Sequence, residues 1–203
     1  MDDSYLTPYH DAAKQHGHGF ETTLWASRRT QELRFEVFTQ MCFFMGKRVL
    51  DAGCSAGDFA AYLLKKDQTY DHFVGLDGVP QTIARATQRG LPASTFLCGD
   101  FVADPRLLSQ GEPQIITLSG TLNTMDDATA LQLLNHAWNA CSESLVFNFL
   151  SDRVSPEAPP QAYPARRLPT LPLLDWALTQ ASDVQFRQDY FPNGHDATLV
   201  MRK

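Results

Sequence analysis

The sequence holds little of what would mark an extracellular, membrane-spanning or nucleic-acid-coating protein. Its four cysteines, Cys42, Cys54, Cys98 and Cys141, are scattered and form no C-x-x-C pair. That pattern argues against a disulfide framework or a zinc site and for thiols kept reduced in a cytoplasm. No apolar run approaches the ~18 residues of a membrane span, and the opening Met1-Asp2-Asp3-Ser4 is acidic and lacks the apolar core of a signal peptide. Positive charge is in deficit: 17 Lys and Arg stand against 23 Asp and Glu, a net −6. Such a balance disfavours a sequence-independent grip on nucleic acid or on an anionic membrane. His16 and His18 stand two residues apart, a spacing that suits neither one helix face nor a metal box, so no metal is expected.

What is present suits one globular domain. The chain has 203 residues, of which 43% are hydrophobic and 20% charged, enough for a substantial core. Residues 1–25 carry Tyr5, Tyr9, His10, Phe20 and Trp25 with poor periodicity. They read either as an arm packed down by its aromatics or as a lid over a ligand site. A helix follows over 26–45, with Leu33, Val37, Met41 and Phe44 as its apolar stripe and Gly46 as its stop. Arg28, Arg29, Arg34 and Lys47 make this the most basic part of the chain.

The centre of the sequence is Val49-Leu50-Asp51-Ala52-Gly53-Cys54-Ser55-Ala56-Gly57-Asp58-Phe59. It reads as a strand end, a turn of small residues and a helix start, an arrangement that points backbone N–H groups into a crevice above a sheet. The dinucleotide fingerprint G-x-G-x-x-G fails twice, because Ser55 and Asp58 stand where Gly and Gly or Ala are needed. The Gly-Lys-Ser/Thr ending of a P-loop is absent. Four more strands alternate with helices: 72–77, 94–98, 114–118 and 144–150. Asp77 lies about 20 residues beyond Gly57, the distance at which a carboxylate reaches a ribose, and Asp100-Phe101 follows the third strand. Each of these acids read alone is a turn former; in order, at successive strand ends, they mark one crevice.

Prolines 156, 159, 160, 164, 169 and 172 rule out continuous secondary structure over 151–172. A helix is expected at 173–181, then strands at 184–191 and 197–201 joined through Pro192-Asn193-Gly194-His195, an antiparallel pair. The fold class is therefore α/β: a doubly wound, mostly parallel sheet in one domain over 1–203, with an N-terminal arm (1–25) and a Pro-rich cap (151–172).

Asp51-x-Gly53-x-Ser55-x-Gly57 resembles the D/E-x-G-x-G-x-G motif of class I S-adenosylmethionine-dependent methyltransferases, with Ser55 in place of the middle glycine. The likeness extends from about Lys47 to Lys203. Leu33-Arg34-Phe35-Glu36, Phe147-Asn148-Phe149-Leu150-Ser151 and Asp189-Tyr190-Phe191-Pro192-Asn193 look like a small bacterial branch of that family. The resemblance implies a seven-stranded sheet of order 3-2-1-4-5-7-6 with a C-terminal antiparallel hairpin. It implies that Gly53, Cys54, Ser55 and Gly57 pass under the methionine part of S-adenosylmethionine, with Asp51 heading the motif. Asp77, with Gly78 beside it, would hold the ribose. Asp100 would face the adenine amino group with the Phe101 backbone beside the ring, and Ser119 would lie near the methionine amine. Apart from the resemblance, Arg34 lies one residue past Leu33 on the flank of the 26–45 helix, which a helix beside the crevice could aim at the methionine carboxylate with a planar fork; the competing reading is a solvated or structural arginine.

The activity implied is in-line methyl displacement that leaves S-adenosylhomocysteine, a reaction in which a general base is optional, so no catalytic residue is assigned. Ser119-Gly120-Thr121-Leu122-Asn123 stands where amino-group methylases of bases or glutamine carry Asn/Asp-Pro-Pro-Tyr/Phe. With the negative charge, this favours a small-molecule acceptor over DNA or RNA. A non-catalytic binder of the same cofactor and a nicotinamide-dependent oxidoreductase are the competing readings.

Overall fold

The computed structural model describes residues 5–17, 19–158 and 160–203. Met1–Ser4, His18 and Pro159 lie outside the described residues, and with them the acidic opening, the His16–His18 pair and one of the cap prolines.

Seven strands form one sheet of order β3-β2-β1-β4-β5-β7-β6. They are β1 (Arg48–Ala52), β2 (His72–Asp77), β3 (Ser94–Cys98), β4 (Ile115–Leu118), β5 (Ser144–Leu150), β6 (Asp183–Arg187) and β7 (Asp196–Arg202). The first five run parallel, and β7 inserts antiparallel between β5 and β6. The expected order and C-terminal hairpin are both present. Six helices connect or cover the strands: α1 (Thr7–His16), α2 (Arg28–Met41), α3 (Asp58–Lys65), α4 (Pro80–Gln88), α5 (Asp127–Ala140) and α6 (Thr170–Gln180). Among the described residues no helix is long and apolar enough to cross a membrane.

The strands are apolar throughout because both faces are covered. Successive residues go to opposite layers. Leu50, Val74, Ile116 and Phe147 pack with α5 and α6, whereas Val49, Phe73, Ile115 and Val146 pack with α2 and α3. The second layer centres on the Phe59 ring, which meets Phe35 at 5.1 Å, Phe44 at 5.3 Å and Phe38 at 5.8 Å between centroids. This cluster corrects the reading of α2. Its buried residues are Gln31, Arg34, Phe35, Val37 and Phe38, with Met41 packed against the same cluster; of the expected stripe Leu33 is only half-buried, because Phe35 and Phe38 reach the Phe59 ring instead. The helix ends at Met41, where Cys42 turns extended, so Phe44 is buried from a loop and Gly46 shapes the entry to β1 rather than the helix stop.

Other boundaries differ as well. The α6 helix starts at Thr170 with Pro172 in its first turn, where the amide has no intrahelical partner to lose. Strand β6 ends at Arg187, because Tyr190 leaves the sheet to donate its hydroxyl to Asp196 Oδ1 (2.7 Å). The Pro-rich stretch is tied to the sheet by a parallel bridge between Ser151 and Leu168, and the Arg166 amide donates to the Asn123 carbonyl at 2.8 Å.

Candidate cofactor cleft and the cavity beside it

The carboxyl ends of β1 to β4 open into one cleft. Gly53, Ser55, Asp77, Gly78, Asp100, Phe101 and Ser119 all line it. Seven of the residues singled out in the sequence are thus brought together from four strand ends, as expected of a doubly wound sheet.

The loop after β1 bends where its glycines take left-handed backbone, Gly53 at φ +86° and Gly57 at φ +71°. Each also leaves room for the protein's own packing: a Cβ on Gly53 would overlap the Thr121 side chain, and one on Gly57 would stand 2.9 Å from the Phe96 ring. Ser55, which replaces the middle glycine, adopts φ +48°, so the turn is kept at some backbone strain. Its amide donates to Asp77 Oδ2 at 2.8 Å. Asp77 Oδ1 accepts from the Val79 amide (2.9 Å) and from Thr82 Oγ1 (3.2 Å). The carboxylate therefore clasps the β1 loop and the start of α4 while Oδ2 keeps acceptor capacity toward the cleft. Burial pushes the Asp77 carboxyl above the usual range, against the pull of the Val79 and Ser55 amides.

At the end of β3, Asp100 Oδ1 accepts from the Val102 and Ala103 amides (3.0 and 3.1 Å), and the Tyr5 hydroxyl lies 2.7 Å from Oδ2 and 2.9 Å from Oδ1. After β4, the Gly120 amide donates to Asn148 Oδ1 at 2.7 Å, and Asn148 Nδ2 donates to Ser119 Oγ at 3.4 Å. One hydroxyl that lines the cleft, Ser55 Oγ, is buried with no hydrogen-bond partner among the described residues, whereas Thr124 Oγ1 lies beside the buried Tyr9 hydroxyl. A buried hydroxyl left unpartnered calls for a partner from outside the chain.

Four expected residues stand elsewhere. Asp51, Cys54 and Gly57 lie behind the loop rather than in the cleft lining. Asp51 follows Val49 by two and so faces the α2–α3 layer, where its Oδ1 accepts from Thr117 Oγ1 at 2.8 Å. Burial raises its carboxyl to about 7. Cys54 is 4% exposed, and burial holds its thiol well above the ordinary range. Arg34 is the larger correction. Its Nε and Nη2 both donate to Asp196 Oδ2, Nη1 donates to the Thr30 carbonyl (2.8 Å), and the guanidinium lies 4.3 Å from the Trp25 ring centre and 4.6 Å from that of Phe191. It is 5% exposed and outside the cleft lining. A carboxylate of the same chain has taken the place proposed for a ligand carboxylate.

The N-terminal arm does cover the cleft. Tyr5, Leu6 and Tyr9 of the α1 region and Thr22, Thr23 and Trp25 beyond it line the same space. A side chain on Gly120 would run into the Trp25 ring. Dense aromatics over residues 1–25 are the sequence signal for this wall. Val79, Thr82, Thr121, Thr124 and Met125 also line the cleft, and no motif marks them.

A second cavity, about 1120 Å³, adjoins the first and shares Tyr9, Thr23, Trp25, Gly120 and Thr124 with it. Its other walls include Glu21, Leu24, Asn123, Leu150, Tyr163, Arg167 and His195, with Pro160 and Pro164. The arm and the Pro-rich segment therefore border one space. Ser119 lies on the cofactor-cleft side of it, and Asn148, 1% exposed, lies beneath Ser119 rather than on the cavity floor.

Residues 49–144 match the family model described as a methyltransferase domain. No curated protein sequence matches the chain. Among solved structures, DhpI in complex with SAH superposes with a TM-score of 0.66 at 15% identity, covering 98% of this chain and 95% of that one. Magnesium protoporphyrin IX methyltransferase from Synechocystis PCC 6803 with bound SAM gives 0.68 at 13% identity, covering 100% and 98%. The small RNA methyltransferase HEN1 gives 0.67 at 15% identity over 86% of this chain, which spans only 25% of that one. Residues 49–144, which hold the motif loop, Asp77 and Asp100, thus match a methyltransferase domain, and the 3-2-1-4-5-7-6 sheet around them is the fold shared with these methyltransferase structures, consistent with class I S-adenosylmethionine-dependent methyltransferases.

Proposed function

We propose that the protein moves a methyl group from S-adenosylmethionine to a small-molecule acceptor and releases S-adenosylhomocysteine. The observation that carries this reading is the pairing of two spaces: a cleft formed by the motif loop, Asp77 and Asp100, and an adjoining cavity walled by the arm and the Pro-rich segment. In this reading 1–203 acts as one domain with an arm and a cap.

Asp77 holds the ribose hydroxyls, with Gly78 beside it. Asp100 and the Phe101 backbone take the adenine, the Gly53–Gly57 loop passes under the methionine part, and Ser119 meets its amine. The unpartnered Ser55 hydroxyl supplies a further polar contact. Bound there, the cofactor supplies a methyl on an already activated sulfonium. The chain's own contribution is alignment and exclusion of water by Tyr9, Trp25 and the cap. The acceptor enters the second cavity, whose proline, tyrosine and tryptophan walls suit a small organic molecule. A net charge of −6 supports a small molecule over a nucleic acid. Four free cysteines, three of them buried, fit a reducing cytoplasm.

Calorimetry tests the reading directly. S-adenosylhomocysteine is expected to bind and NAD to give no heat; binding of NAD alone would replace the methyltransferase with an oxidoreductase. In the same titration Asp77→Ala is expected to weaken S-adenosylhomocysteine at least tenfold, about 1.4 kcal/mol. It loses charge-assisted hydrogen bonds to the ligand and frees the Ser55 and Val79 amides from their clasp. Unchanged affinity in a folded variant would reduce Asp77 to a turn former.

A further inference from the structure

We propose that Tyr5 is a cofactor-positioning residue, which orients Asp100 toward the adenine and makes the start of the chain the adenine-side wall of the cleft. This rests on the reading above, in which Asp100 faces the adenine amino group.

The two residues are 95 positions apart, yet the Tyr5 hydroxyl sits against both Asp100 oxygens. Oδ1 already accepts two backbone amides, from Val102 and Ala103. A hydroxyl has one proton, and the shorter distance, 2.7 Å, is to Oδ2. Oδ2 then retains one lone pair. Among the described residues that lone pair is the one acceptor site on Asp100 left for an amine, and the Tyr5 hydrogen bond fixes its direction. The ring itself is held: Tyr5 is 8% exposed and belongs to the same buried apolar cluster as Phe101. Its neighbour Leu6 packs so closely on Gly78 that an added Cβ would lie 2.9 Å from it. Tyr5 and Leu6 thus touch the strand ends assigned to adenine and to ribose, and both line the cleft.

The test is a pair of titrations, with S-adenosylhomocysteine and with S-inosylhomocysteine, in which a carbonyl oxygen replaces the amino group. The wild-type protein is expected to prefer the adenosyl form. Tyr5→Phe keeps the ring and its packing and removes only the donor. It is expected to bind S-adenosylhomocysteine fivefold or more weakly, to bind the inosyl form almost as before, and so to lose most of the preference. A purely structural tyrosine would weaken both ligands alike and leave the preference intact, which would overturn the proposal. So would a Tyr5→Phe protein that binds S-adenosylhomocysteine unchanged or more tightly, the second result meaning that Tyr5 competes with the adenine. A wild-type protein that binds neither ligand would remove the cofactor reading, and this proposal with it.

Discussion

Replacing Arg34 with alanine is expected to cost about 3–5 kcal/mol of stability, the range for removing one partner of a buried ion pair. For a chain of this length that lowers the melting temperature by on the order of 10 °C. Three things are lost together. Asp196, 1% exposed, would keep only the Tyr190 hydroxyl as a short hydrogen-bond donor. The Thr30 carbonyl would lose its donor. The Trp25 and Phe191 rings would lose the flat cation packed against them. Trp25 lines both cavities, so its loosening also opens their shared wall. Arg34→Lys is expected to fall between wild type and alanine, because an ammonium cannot present two donors to Asp196 and a planar face to both rings. Urea unfolding of the three proteins measures this. A fully stable Arg34→Ala protein with weakened S-adenosylhomocysteine binding would return Arg34 to the ligand.

The second large effect concerns Asp51. It sits in the middle of β1, with Gly75 of β2 and Thr117 of β4 opposite it. Burial is the main reason its carboxyl rises from 3.8 to about 7; the Thr117 hydroxyl opposes the rise, and the Asp77 and Asp58 charges add to it. In the unfolded chain the group ionises near pH 4. Between about pH 4 and pH 7 the folded protein therefore keeps a proton that the unfolded chain has released. Stability falls as pH rises through that window, by roughly 4 kcal/mol at most, and levels off above about pH 7. Asp51→Asn keeps an acceptor for Thr117 and carries no charge. It is expected to be more stable than wild type at pH 8, with the gap closing as pH falls toward 4. Parallel stability curves for the two proteins between pH 4 and 8 would show that Asp51 ionises in the fold as it does in the open chain.

Arg34 and Asp51 also mark the line between local and distant causes. Asp51 heads a recognisable motif, but its position two residues after Val49 on a strand turns it to the helix layer, away from the crevice. The alternation was in the sequence; which face it served was not. Arg34 was placed on the flank of α2 toward a ligand carboxylate. Its partner, Asp196, is 162 residues away, and nothing in either local sequence pairs them.

By itself the sequence determined the order of strands and helices from α2 onward, though not α1, the polar residues at the ends of β1 to β4, and the break in structure between β5 and α6. These follow from patterns within a few residues: apolar runs, turn-forming glycines and asparagine, capping residues and prolines. The likeness to a known motif extended that to the sheet order, including the reversed β7. Only the tertiary structure decided which of those polar residues face the same space. It set the α2 face through the Phe59 cluster, reserved Gly53 and Gly57 for the protein's own Thr121 and Phe96, joined Tyr5 to Asp100, and spent Arg34 on Asp196. Each of these is a contact between segments far apart in the chain. Its outcome depends on which large ring or buried charge finds the better partner, a competition that no local pattern records.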